Sequence, residues 1–126
     1  FVILDNNYLL DYFAVLDGKR NEGLGSAFLK ELSGDYLKGN NSFIIEVENP
    51  EFAESQDERN LMERRIGFYK RNGFKNTGIK AKLWSANFLI MVPQNSDYAT
   101  EEIRKNYISF YKNTLPPEMF RNNVFI

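Results

Sequence analysis

The stretch Arg20-Asn21-Glu22-Gly23-Leu24-Gly25-Ser26 joins a strand-like apolar run, Leu9 to Leu16, to an amphipathic run, Leu24 to Leu37. A strand, a glycine-bearing turn and a helix start in that order leave backbone N–H groups unsatisfied beside the positive end of the helix dipole. Such a place holds phosphate. Glycine at 23 and 25 removes the side chains that would keep a pyrophosphate from the backbone. The same glycines also fit a plain tight turn. Two stronger phosphate motifs are excluded: Gly25 is followed by Ser26 and Ala27 rather than by Lys-Ser/Thr, and Phe28 stands where a dinucleotide fingerprint needs a small residue.

The chain contains no histidine and no cysteine. No Ser-His-Asp triad, Cys-His dyad, histidine metal site or zinc–cysteine site can therefore be built, and no disulfide. Acid–base chemistry must come from carboxylates, lysine, tyrosine or ordered water. Glu46 is the carboxylate that most needs a reason, because it interrupts the apolar run Phe43 to Val47, which reads as a buried strand. Its reason is either chemistry or an ion pair with one of Arg64-Arg65. Asp11 is a second acidic candidate, and Glu48 reads as a solvated rim residue.

These residues must be positioned by a small scaffold. The 126 residues suit one domain, with the apolar and aromatic content of a globular protein and no apolar run long enough to span a membrane. A net charge of −1 without a basic face predicts no nucleic-acid footprint. No signal-peptide pattern opens the chain, and a cytoplasmic setting fits. Phe1-Val2-Ile3-Leu4 begins without methionine and already in a strand-like run, which reads as a fragment or a processed product.

Phe1 to Leu4 and Tyr8 to Leu16 read as a hairpin turned at Asp5-Asn6-Asn7. Leu24, Phe28, Leu32 and Tyr36 recur at near-helical spacing in a helix that ends near Gly39. After the strand Phe43 to Val47 comes a polar, acidic connection, Asn49 to Asp57. Glu58 to Asn72 then reads as a helix with Leu61, Arg65 and Phe68 on one stripe and Met62, Ile66 and Tyr69 beside it, closed by Gly73. Lys80 to Trp84 and Asn87 to Val92 read as a strand pair turned at Ser85-Ala86, with Pro93 as the stop. Thr100 to Asn113 reads as a last helix carried by Ile103, Tyr107, Phe110 and Tyr111, ended by Pro116-Pro117, and the apolar tail Phe120 to Ile126 is expected to dock. The whole is one mixed α/β domain.

In this order and spacing the chain resembles a GNAT-superfamily N-acetyltransferase. The stretches that carry the resemblance are Tyr12-Phe13-Ala14-Val15, Arg20-Asn21-Glu22-Gly23-Leu24-Gly25, Ile45-Glu46-Val47-Glu48 and Phe68-Tyr69-Lys70-Arg71-Asn72-Gly73-Phe74. It extends from Phe1 to about Pro93. The resemblance implies an α/β (α+β) fold with a mixed, mainly antiparallel sheet flanked by helices. It also implies that the family's first strand, two helices and second strand are missing, with Phe1 to Leu4 matching the end of the third strand. Part of the acceptor site comes from the missing part, so the acceptor amine, small molecule or peptide, is not named.

The implied ligand is acetyl-CoA, with no metal. Residues Arg20, Asn21, Glu22, Gly23, Leu24, Gly25 and Ser26 would wrap its pyrophosphate, mostly through backbone N–H groups. Phe13, Ala14 and Val15 lie on the strand that, in the family, splays from its neighbour. Their backbone would hold the pantetheine arm and polarise the thioester carbonyl. Without a cysteine or histidine as acyl carrier, the acceptor amine attacks directly. Tyr69 is implied as general acid to the leaving thiolate, and Glu46, in a matching Glu-Val pair, as the base that takes the amine's proton directly or through water. Apart from the resemblance, Tyr69 reads as a core aromatic beside Met62 and Ile66. Phe68 goes with Tyr69 in the cofactor-binding motif, and Arg71, with Arg64-Arg65, would reach the CoA phosphates or simply solvate the helix.

The chain departs from the family in two places. Met62 stands seven residues before Tyr69, where many members have asparagine, with Asn49 as the nearest substitute. The connection from Glu46 to Tyr69 is longer than usual and carries the acidic insert Glu51 to Glu58, which would contact a basic acceptor or be a solvated loop. Trp84, Phe110, Tyr111, Phe120 and Phe125 read as core or as a homodimer face.

Overall fold

The computed structural model of the protein describes residues 2–4, 7–10, 27 and 42–126. The described strands form one six-stranded sheet of order β1-β2-β3-β5-β4-β6. They are β1 (Val2–Leu4), β2 (Asn7–Leu10), β3 (Ser42–Glu48), β4 (Phe74–Leu83), β5 (Ala86–Pro93) and β6 (Val124–Phe125). Between residues 42 and 126 the helices are α1 (Gln56–Arg71), α2 (Thr100–Thr114) and α3 (Pro117–Asn123), with a 3-10 turn at Pro50–Phe52. Every strand pair is antiparallel except β2 with β3, which run parallel with Tyr8 opposite Phe43 and Leu10 opposite Ile45. The described architecture is α+β.

Parallel pairing cannot be made by a hairpin. It needs a connection of a dozen residues or more, and residues 11–41, which include the glycine loop, separate the two strands in the sequence. Ala27 is helical. Asp11, Phe13, Ala14, Val15, Arg20 to Ser26 and the rest of the helix expected over Leu24 to Leu37 lie outside the described residues. At β1 and β2 the expected hairpin is present, with Leu4 opposite Asn7, so Asn7 belongs to the strand rather than to the turn.

Successive strand residues point to opposite faces, and this divides the core in two. One face carries Ile45, Val47, Phe74 and Met91, packed with Tyr69 of α1 and flanked by Ile66, Phe68 and Leu89. The other carries Ile44, Ile79, Ala81, Ile90 and Val92, packed with Ile103, Tyr107 and Phe110 of α2. The layers are helix, sheet, helix.

Helix α1 starts at Gln56, two residues earlier than its apolar spacing suggests, because the Ser55 hydroxyl accepts from the Glu58 N–H and caps the first turn. It ends as expected: Asn72 caps it and Gly73 takes φ +87°, a conformation that only glycine adopts without strain. The strand pair is longer than its apolar run. Thr77 supports a bulge in β4 by donating its hydroxyl to the Ile90 carbonyl, and four steps along β4, Asn76 to Lys80, match two along β5. Because the excess is even, both sides of the bulge keep the same facing.

The turn between β4 and β5 is Trp84-Ser85 rather than Ser85-Ala86, since Leu83 pairs with Ala86. Trp84 sits at φ 56°, where a bulky side chain is strained, and its N–H donates to the Asn123 carbonyl at 2.8 Å. The Pro-Pro pair ends α2 as expected, but Pro117 also opens α3, where a fixed φ and a missing N–H cost nothing. The tail docks as β6 on the edge of β4, through Lys82 with Phe125 and Leu83 with Val124. Phe110 is core, whereas Trp84 and Phe125 are about half exposed.

Candidate functional site

Glu46 lies mid-strand in β3 and shares its face with Ile44, towards α2. It is 7% exposed and its carboxylate has two tyrosine partners. Tyr107 and Tyr111 stand one turn apart on α2, and both hydroxyls donate to the same oxygen, Oε2, the Tyr111 bond measuring 2.7 Å. Their rings meet edge to face at 5.3 Å. Tyr107 is wholly buried. The arginine ion pair, one of the two reasons open to Glu46, is not formed with Arg65, which instead binds Glu48 at 2.5 Å with both side chains close to half exposed. An ion pair so placed is worth little, about 0–1 kcal/mol. The two hydroxyls were legible only as an i, i+4 pair on a buried helical stripe, with nothing in the sequence to aim them at β3.

Burial, and then the negative charge of Glu46, push the Tyr107 hydroxyl far above its ordinary value of 10.0. The direction has a consequence for stability. Above about pH 10 the unfolded chain gives up this proton and the folded chain keeps it, so the folded state binds more protons and stability falls as pH rises. Below that pH the contribution is constant. Urea unfolding between about pH 9 and 11 is expected to show an extra loss of about 1.4 kcal/mol in total that Tyr107→Phe removes. An equal slope in the two proteins would contradict the assignment.

Tyr69 belongs to the opposite face. It is 7% exposed, edge-on to Phe68 at 5.4 Å and to Phe74 at 6.2 Å. Burial raises its hydroxyl above the ordinary value, with the Arg65 charge pulling the other way, so it stays protonated at neutral pH. Phe68 is half-buried at the margin of the same cluster, and Arg71 is exposed in the last turn of α1. The sheet thus lies between Tyr69 and Glu46, and their side chains are not brought together. The sequence-expected residues divide into three groups: Tyr69 with Phe68 on the α1 face, Glu46 on the α2 face, and the glycine loop and its preceding strand outside the described residues.

The α1 face also holds an open cleft of about 520 Å³, which sequence reasoning missed. Its walls are the 3-10 turn, one stripe of α1 and the bulged part of β4, and the apolar part of its lining is Ile66 and Leu89, which also flank the Tyr69 cluster. The acidic insert contributes Glu51, which binds Lys80 at 3.3 Å.

The chain matches no protein-family model, no curated protein and no solved structure. Its fold and its side-chain geometry are thus the whole basis for a functional reading. Among the described residues no helix is long and apolar enough to cross a membrane.

Proposed function

We propose that the chain is an acetyl-CoA-dependent N-acetyltransferase that passes acetyl directly to an amine acceptor. One observation carries the reading: an otherwise antiparallel sheet contains a single described parallel pair, β2 with β3, and the next helix lays Tyr69 on Ile45 and Val47 of β3. Parallel strands end on the same edge, and open α/β sheets take their ligands outside the carboxyl ends of such strands. Between these two strands in the sequence lies Arg20 to Ser26, the stretch best suited to a pyrophosphate.

In this proposal the amine nitrogen attacks the thioester carbon, the C–S bond breaks, and the leaving thiolate takes the Tyr69 proton. Solvent then restores the tyrosine. The amine's surplus proton passes to Glu46 through water, since the sheet keeps the carboxylate itself from the Tyr69 side.

The binding half of the proposal is tested by thermal unfolding with acetyl-CoA. Ligand at a hundred times its dissociation constant adds about 2.7 kcal/mol, several degrees in a domain of this size. Gly25→Glu is expected to remove the shift while leaving the ligand-free midpoint close to the parent's. A normal shift in that variant sinks the phosphate-loop assignment.

A second reading, an acyl-CoA-binding module without turnover, is favoured by the separation of Tyr69 and Glu46 on opposite faces of the sheet. Release of free thiol in the presence of mixed amines separates the two readings.

A further inference from the structure

The cleft on the α1 face has a chemistry that the transferase reading does not use. Two of its walls are asparagine amides. The Asn49 Oδ1 accepts the Glu51 N–H at 3.1 Å, and the Asn76 Oδ1 accepts the Gly78 N–H at 2.9 Å. With one lone pair of each oxygen engaged by backbone, both amides present a ligand chiefly with their NH₂ groups. The third donor is Lys70. It shares one stripe of α1 with Glu63, two turns away, about 10 Å along the axis. Among the described residues neither Lys70 nor Glu63 is ion-paired, whereas the other lysine of the cleft, Lys80, is answered by Glu51.

Midway between Lys70 and Glu63 is Gly67. A glycine inside a helix costs about 1 kcal/mol relative to alanine. Packing does not demand one here, since an added Cβ would meet only the movable tip of Arg71, at 3.4 Å. What the glycine does is keep the floor of the cleft open between a cation and an anion.

We infer that this cleft binds a zwitterionic amine of dipeptide size. Its carboxylate lies at Lys70 with one oxygen also on an asparagine NH₂, its one peptide carbonyl takes the other NH₂, its ammonium lies at Glu63, and its apolar part covers Ile66 and Leu89. The volume is in the range of small-ligand sites, about 300–1,000 Å³. A purely anionic ligand would leave Glu63 unanswered, and a purely cationic one would leave three donors facing it. The inference does not depend on acetyl transfer, because binding is read without acetyl-CoA.

The test is titration calorimetry with three probes: alanyl-leucine, its C-terminal amide and its N-acetyl derivative. Alanyl-leucine is expected to bind with a dissociation constant below about 1 mM. Each derivative, lacking one charge, is expected to bind about fivefold or more weakly, the upper range for a partly exposed ion pair. Gly67→Leu fills the floor with a good helix former, so its unfolding midpoint is expected at or above the parent's while alanyl-leucine binding is lost. Should that variant not fold, the exposed Lys70→Glu takes its place and is expected to abolish binding likewise. No heat from alanyl-leucine up to about 10 mM, equal affinity for all three probes, or unchanged binding in the variant that folds each overturns the inference.

Discussion

Glu46→Leu is expected to lower the unfolding free energy by about 2–4 kcal/mol. The loss does not come from the missing carboxylate itself. Burying a charge is expensive, and an apolar residue in its place removes that expense. It comes from the two hydroxyls left behind: a buried donor without an acceptor costs about 1–3 kcal/mol. Tyr107, wholly buried, has no water to turn to, while half-buried Tyr111 recovers part of its loss from solvent. The same logic predicts the sign of the repair. Glu46→Leu combined with Tyr107→Phe and Tyr111→Phe removes the carboxylate and both of these hydroxyls together and is expected to recover most of the stability. The substitutions should couple by about 0.5–3 kcal/mol, as contacting residues do. Urea unfolding of the single and combined variants measures this directly. Losses that simply add would show that the three groups do not form a unit.

That trio marks the limit of what the sequence discloses. Hydrophobic periodicity located β3, α1 and α2 because each rests on a local pattern: a short apolar run, or a stripe of Met62, Ile66 and Tyr69, or of Ile103, Tyr107 and Phe110. Capping chemistry was equally local. Gly73 ends α1 for a reason visible within its own turn, and Ser55 starts it for a reason that was legible but not used. The other misses depend on pairings that only the assembled sheet and helices bring about. The turn at Trp84-Ser85 is set by the Leu83–Ala86 pairing and by a bond to Asn123, neither of which shows in the local composition. The bulge in β4 needs the Thr77 hydroxyl to meet the Ile90 carbonyl across the hairpin. Glu46 could be recognised as a carboxylate needing a partner, yet its partners lie more than sixty residues away on α2. The cleft was invisible for the same reason, since Asn49, Gly67 and Asn76 acquire a common purpose only when the 3-10 turn, α1 and β4 are assembled. The fold class is written in local patterns. The site residues are written there only as types and spacings, and their meeting points are written in the topology.

Tyr69→Phe is expected to slow acetyl-CoA-dependent thiol release by about 10²–10⁴-fold while leaving the fold and the acetyl-CoA thermal shift intact. The substitution isolates the hydroxyl. The ring keeps its edge contacts with Phe68 and Phe74 and its place against Ile45, Val47 and Met91, so a change in stability beyond about 1 kcal/mol is not expected. A thiol of ordinary pKa, about 8.5, is a modest leaving group as the free thiolate, and protonation as the C–S bond breaks spares it that charge. Burial keeps the Tyr69 proton in place through neutral pH, which is what a donor requires. The comparison with Glu46 then separates chemistry from architecture. Glu46→Gln keeps a side chain of the same size that can still accept from Tyr111 but is far less basic. If Glu46 receives the amine's proton, that variant loses rate at neutral pH and regains it as the amine itself deprotonates at higher pH. If Glu46 only ties α2 to the sheet, the variant loses stability and keeps its pH profile. A Tyr69→Phe rate within about a factor of two of the parent, with acetyl-CoA still bound, would remove the general-acid role and leave the binding module as the better reading.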